Sequence, residues 1–317
     1  MASRPRSRRL RRTLLAALVT ASVAVPTAGA ASPAAVPAPA PAALGPLAPA
    51  TASVLDERYA ANRDAIRAAE RTAADYGDRK RAATLRAMAG PTRHFLSFDG
   101  RDGGRSVEVV GDLARADRIA VLVPGSDTAL GSKRFRDGAV ALQRQLGGRA
   151  AVLAWLGYRT PATASAAVLT PGRADEAAPA LRDFIGELSA AKPAARLTLL
   201  CHSYGSVVCA KAAPGLPAAG IVLYGSPGTG ADSAADLHTA ATVWAGRGED
   251  DWIAHVPHLR VPLPFGELGF GTDPLAPEYG ARVFDAGDGG HSDYLLPGSL
   301  PLKNLARIVD GRDPADA

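Results

Sequence analysis

Ser203 stands in Cys201-His202-Ser203-Tyr204-Gly205-Ser206, directly after the apolar run Leu197-Thr198-Leu199-Leu200 and before the apolar stretch 207–213. A strand that turns through a serine flanked by small residues into a helix has the spelling of a nucleophile elbow. The turn is strained and lifts the hydroxyl out of the sheet, so the residues two before and two after it must be small. Gly205 meets that demand, and Cys201 stands where the motif usually has its first glycine. A hydroxyl displayed in this way is a candidate for attack on a carbonyl carbon. It needs a base to take its proton and a carboxylate to hold that base in one tautomer. An ordinary strand-to-helix turn can carry the same letters, so the partners decide the reading.

For a serine on such an elbow the expected chain order is serine, acid, histidine. The later histidines are His238, His255, His258 and His291. His238 precedes the strand expected to deliver the acid. His291 follows the last expected strand within Asp288-Gly289-Gly290-His291-Ser292-Asp293, a glycine loop able to aim an imidazole across the sheet end, and is the candidate base. For the acid, the strand expected at 242–245 runs into Gly246-Arg247-Gly248-Glu249-Asp250-Asp251. The apolar pair Trp252-Ile253 would pin Asp251 at the sheet edge, which makes it the first candidate, with Asp250 its near rival and Asp232 a more distant one. His255 and His258 have the i, i+3 spacing of a metal pair, but no cysteine or third histidine lies near them in sequence. No metal or cofactor is expected.

The oxyanion formed on attack needs fixed N–H donors, commonly one from the residue after the nucleophile and one from a loop after an earlier strand. Tyr204 supplies the first, and Ser126 in Pro124-Gly125-Ser126-Asp127 is the candidate for the second.

These residues need a scaffold. Short apolar runs at 95–98, 107–110, 119–123, 151–155, 195–200, 221–224, 242–245 and 282–285 read as strands, the first two joined by the glycine-rich turn 100–104. Helical patterns at 134–146, 174–188 and 207–213 alternate with them. Such alternation predicts an α/β fold: a mostly parallel sheet with helices on both faces and an antiparallel pair at one edge. Ligands bind such sheets at the carboxyl ends of strands, where Ser203 and its candidate partners fall.

At this point the chain resembles a family of largely uncharacterised actinobacterial alpha/beta hydrolases with a His-Ser-Tyr-Gly elbow. The resemblance rests on Val123-Pro124-Gly125, on Ala154-Trp155-Leu156-Gly157-Tyr158 followed by Pro161, and on the stretch 200–206. It continues at Tyr224-Gly225-Ser226-Pro227-Gly228 and at Gly290-His291-Ser292-Asp293-Tyr294-Leu295, so that it spans about residues 95–298. It implies the alpha/beta hydrolase fold, Ser203 as nucleophile, His291 as base and an acid near Asp251. Cys201 departs from the family's glycine.

The chain's 317 residues carry a formal charge of +5. Residues 1–30 hold six arginines and no acid, so subtracting those six leaves −1 for the remainder, and nucleic-acid binding loses its electrostatic support. Those arginines precede an apolar run at 14–25 and Ala28-Gly29-Ala30, the plan of an export signal with a small-residue cleavage site. The run is shorter than the ~20 residues of a bilayer span, so no stable membrane span is expected after cleavage. Ser7-Arg8-Arg9 is a loose match to a twin-arginine signal, and the general secretory route fits as well. The Pro/Ala tract 31–50 reads as a disordered or extended spacer, 51–92 as a helical extension broken near Gly77, and 93–310 as the hydrolase domain. The only cysteines, Cys201 and Cys209, fall on a strand end and on the following helix. With layers about 10 Å apart, they are expected to be buried free thiols.

The expectation is a secreted serine hydrolase that cleaves a small-molecule or lipid-like ester through an acyl-enzyme. The segment 252–279, with Phe265, Leu268 and Phe270, is expected beside the site. A non-catalytic binding or cell-surface protein of the same fold is the alternative, motivated by Cys201. A peptidase has no charged pocket residue in the sequence to argue for it.

Overall fold

The computed structural model describes residues 36–47, 49–263 and 266–314. The expected export signal at 1–30 and the start of the spacer at 31–35 lie outside the described residues.

The elements follow one another as α1 (Ala52–Asp75), α2 (Arg79–Met88), β1 (His94–Asp99), β2 (Arg105–Gly111), β3 (Arg118–Val123), α3 (Lys133–Leu146), β4 (Ala150–Leu156) and α4 (Gly172–Ala191). After them come β5 (Arg196–His202), α5 (Gly205–Ala212), β6 (Gly220–Tyr224), β7 (Thr242–Gly246), β8 (Arg260–Leu263), β9 (Gly266–Gly269), β10 (Arg282–Val283) and α6 (Leu300–Val309). Eight strands form one sheet in the order β1-β2-β4-β3-β5-β6-β7-β10, while β8 and β9 make a separate hairpin. β2 is antiparallel to β1 and to β4, and the pairings from β4 to β10 are parallel. This is the mostly parallel α/β sheet that the alternating pattern predicts, and the alpha/beta hydrolase fold that the resemblance implies.

The central strands read as nearly unbroken apolar runs because both faces are covered. Successive side chains point to opposite faces, so each strand feeds two cores. Ile119, Val121, Leu197, Leu199, Ile221 and Leu223 pack beneath α4 and α5 with Leu181, Ile185, Val207 and Val208. Ala120, Leu122, Leu200 and Val222 pack on the other side against Leu142 of α3 and Leu302, Leu305 and Ile308 of α6. α6 has no counterpart in the sequence reading. Two signals mark its start: Ser299 caps it by accepting from Leu302 N–H at 3.4 Å, and a proline sits in its first turn.

The helical extension is joined to the sheet edge. Ile66, Ala69 and Ala73 of α1 and Leu85 and Met88 of α2 pack with Phe95 and Phe98 of β1. Buried Asn62 donates to the carbonyls of Phe95 and Leu96 at 3.0 and 3.1 Å. The Pro/Ala tract also differs from a free spacer: Leu47 and Ala50 are buried in the main core, and Ala50 N–H donates to Ala191 O at 3.3 Å. Two apolar side chains with a core to enter are enough to lay an otherwise structureless segment down.

Candidate active site

The elbow is built by close approach. β5 ends at His202, α5 begins at Gly205, and Ser203 between them has φ +52°, a left-handed conformation that is costly for a residue with a Cβ. Its N–H donates to Tyr224 O on β6 at 3.0 Å. A Cβ at Gly205 would come within 2.5 Å of Val123 O and 2.7 Å of Pro124 O, so only glycine lets α5 start against the end of β3. A Cβ at Gly125 would lie 2.6 Å from the Ser203 Cβ, which puts the Pro124-Gly125-Ser126 loop directly over the serine. That loop is held by the Tyr158 hydroxyl, which donates to Pro124 O at 2.7 Å.

The cysteines correct the expectation of two free thiols. Cys201 and Cys209 form a disulfide with Cα atoms 6.4 Å apart, and both are fully buried. The layer spacing behind that expectation holds for strands and helices packed side by side. Here the helix leaves the strand end after two residues, so its second turn is still within bridging reach of about 7 Å. The position that usually carries glycine is thus filled by half of a covalent link across the elbow. Cys201 is buried in the core with Leu197 and Leu199 of the same strand.

Three residues expected to act together do come together. His291 Nε2 lies 3.0 Å from Ser203 Oγ, and His291 Nδ1 lies 2.8 and 3.0 Å from the two carboxylate oxygens of Asp251. Asp251 is fully buried, and its Oδ1 also accepts the Ile253 N–H at 2.9 Å. Burial on its own would raise this carboxyl group. The bonds from His291, Tyr294 and Ile253 N–H outweigh it and hold the group below the usual carboxylate range. Asp250 is exposed, and Asp232 pairs with Arg260 at 2.9 Å. Ile253 is buried and pins the acid loop, but Trp252 is half exposed, its ring 4.7 Å from the His291 ring. His255 is exposed and His258 lies 3.4 Å from Asp273. Among the described residues no group of three or more such ligands is placed to hold a metal ion.

The acid and base loops support each other. Glu249 N–H donates to Gly287 O at 2.9 Å, and a Cβ at Gly248 would meet Gly289 O at 2.0 Å. Two further residues escape the sequence reading. His202 Nε2 lies 2.8 Å from the His291 carbonyl oxygen and donates to it; burial above all, then the neighbouring His291, lowers the His202 pKa to about 4, so the ring is neutral. Tyr294 donates its hydroxyl proton to Asp251 Oδ2 and accepts from Gly248 N–H at 3.1 Å. The spacing of three between His291 and Tyr294, and the place of His202 beside the serine, are the sequence signals that could have marked them.

Of the segment 252–279, Phe270 is buried edge-on against Tyr204 at 5.7 Å, Leu268 is exposed on the hairpin, and Phe265 lies outside the described residues. Tyr204 is itself buried and donates to Thr170 O at 2.7 Å, which anchors the residue after the serine from below. Among the described residues no helix is long and apolar enough to cross a membrane.

The chain is similar to known proteins over part of its length. Uncharacterized proteins of Mycobacterium tuberculosis and Mycobacterium bovis are 32% identical over 184 residues, covering 50% of this chain and 69% of theirs. An α/β serine hydrolase without lid from Xanthomonas campestris aligns with a TM-score of 0.45 at 21% identity, over 72% of this chain and 99% of its own. An esterase from Mycobacterium marinum aligns with a TM-score of 0.43 at 15% identity, over 78% and 88% of the two chains. A family model described as alpha/beta hydrolase matches residues 99–261, from the end of β1 through the elbow and Asp251, and the chain belongs to that family.

Proposed function

We propose that this chain is a serine hydrolase that cleaves a carboxylic ester of a small-molecule or lipid-like substrate through an acyl-enzyme. The observation that carries the reading is the continuous relay from Ser203 Oγ to His291 Nε2 at 3.0 Å and from His291 Nδ1 to Asp251 at 2.8 Å. In this reading Ser203 Oγ attacks the ester carbonyl carbon while its proton passes to His291 Nε2. The negative oxygen of the tetrahedral intermediate accepts from the backbone N–H groups of Ser126 and Tyr204. The neighbouring N–H groups of Asp127, Ser203 and Ser206 are already committed, to Pro161 O, Tyr224 O and Ser203 O. Collapse expels the alcohol, which leaves with the proton held on His291. Water then attacks the acyl-enzyme with His291 again as base, returning the hydroxyl to Ser203. Asp251 holds the imidazole in the tautomer with its proton on Nδ1 and stabilises the imidazolium.

The half-exposed ring of Trp252 beside the base offers an apolar surface to an acyl or aryl group. An ordered relay of three side chains also weighs against a non-catalytic protein that has merely kept the fold. The protein is exported in this reading: the arginine-rich start with its apolar run supports it, and so does a disulfide, which persists in an oxidising compartment. Release of p-nitrophenol from a series of p-nitrophenyl esters tests the activity. Wild type is expected to turn over, and Ser203→Ala to lose about a thousandfold or more in kcat. An inert wild type, or a Ser203→Ala variant as fast as wild type, overturns the reading. Mass determination of protein recovered outside the cells tests export, with the mature chain expected to lack residues 1–30.

A further inference from the structure

Asp251 is a fully buried carboxylate, and a buried charge is tolerated only when its oxygens are matched by donors. Oδ1 has two donors, Ile253 N–H and His291 Nδ1–H. Oδ2 lies 3.0 Å from the same His291 nitrogen, and its own donor is the hydroxyl of Tyr294. An ionised carboxylate can only accept, so the shared proton resides on the phenol, and the phenol oxygen in turn accepts from Gly248 N–H at 3.1 Å. Burial first, then the bond to Asp251, pushes the Tyr294 hydroxyl well above its ordinary range, which keeps that proton in place.

The surroundings are shaped for this pair. The Tyr294 ring is buried edge-on against Tyr224 with centroids 5.1 Å apart. Gly225, at the end of β6 with φ +57°, stands where a Cβ would come 3.0 Å from Asp251 Oδ2 and 3.2 Å from the Tyr294 hydroxyl. A ring that merely filled the core would not need the hydroxyl; phenylalanine would pack as well.

We propose that Tyr294 is a positioning residue for the reaction, holding Asp251 in the orientation that presents its carboxylate to His291 Nδ1; the inference rests on the serine hydrolase reading. Tyr294 touches no reacting atom and acts through Asp251. The acid of the relay is fixed from the loop that carries the base, so the loop after β10 both presents His291 and holds its partner Asp251.

Tyr294→Phe keeps the ring and removes the donor. Its kcat on a p-nitrophenyl ester is expected to fall about tenfold with KM unchanged. The far-downfield proton resonance of His291 Nδ1–H is expected to move, because that proton lies between the ring and the carboxylate Tyr294 holds. The double variant Tyr294→Phe/Asp251→Asn is expected to be no slower than Asp251→Asn alone, since the first residue acts only through the second. A Tyr294→Phe variant with wild-type kcat and an unmoved resonance, even one with a lowered melting temperature, overturns the proposal. So do losses that add in the double variant. Fluorophosphonate labelling separates the two levels: a wild type that labels at Ser203 while Tyr294→Phe is kinetically normal removes the positioning role alone, and an unlabelled wild type removes the hydrolase reading and this inference with it.

Discussion

Ser203 and His291 sit 3.0 Å apart yet are held by opposite means. The serine follows β5, a central strand paired in parallel on both sides by β3 and β6. It is fixed by main chain: a left-handed turn, a bond to Tyr224 O, a glycine pressed on the end of β3 and a covalent link from Cys201 to Cys209. The histidine follows β10, an edge strand of two exposed residues, Arg282 and Val283. It is fixed by side chains: Asp251 on its Nδ1, His202 on its carbonyl oxygen, and Trp252 against its ring. Ser203 is therefore held by main-chain geometry and His291 by side-chain contacts. Perturbing the first should cost fold stability, and perturbing the second should cost turnover.

The largest effect is expected on the base side. Asp251→Asn should lower kcat by about 10³ to 10⁴ because the amide favours the wrong imidazole tautomer, while Asp250→Asn, exposed and off the relay, should stay within about twofold of wild type. Steady-state kinetics on one ester rank the two, and the reverse ranking would move the acid. On the nucleophile side, Cys201→Ala/Cys209→Ala removes a cross-link that encloses Ser203 within a sequence separation of 8, and should cost about 2.5 kcal/mol in urea unfolding. An unchanged unfolding midpoint would show that the main chain alone holds the elbow. A pH-dependent effect bridges the two sides. His202 has its pKa lowered from 6.5 to about 4, so between those values the unfolded ring takes up a proton that the folded ring refuses. The stability this ring contributes is complete above pH 6.5 and is lost as the pH falls toward 4. Thermal unfolding at pH 7 and pH 4 should show His202→Asn losing about 3 kcal/mol less than wild type over that interval. Equal losses would remove the neutral His202 from the support of the base.

The same division explains what is legible in the sequence. The strands, the elbow and the helix after it are readable because each is encoded by consecutive residues: apolar runs for doubly covered strands, Gly205 for the turn, alternation for the parallel sheet. Asp251 and His291 are reachable only through chain order and through the glycine loops that carry them. Tyr294 and His202 act through hydrogen bonds to partners 43 and 89 residues away in sequence, and their nearness in sequence to His291 and Ser203 marks the positions without revealing those bonds. The disulfide escapes a generic layer spacing because it lies where a strand runs almost directly into a helix. α6 is hidden, although Leu302, Leu305 and Ile308 recur at helical spacing, because its proline falls in the first turn, where it starts a helix rather than breaking one.

The central claim is that Ser203 is activated by His291. Incubation of the full chain with a fluorophosphonate, followed by intact-mass measurement and peptide mapping, tests it most directly. One adduct per chain is expected, on the peptide containing Ser203, with labelling greatly slowed in His291→Ala. No adduct on the wild type, an adduct on another residue, or labelling of His291→Ala at the wild-type rate would contradict it.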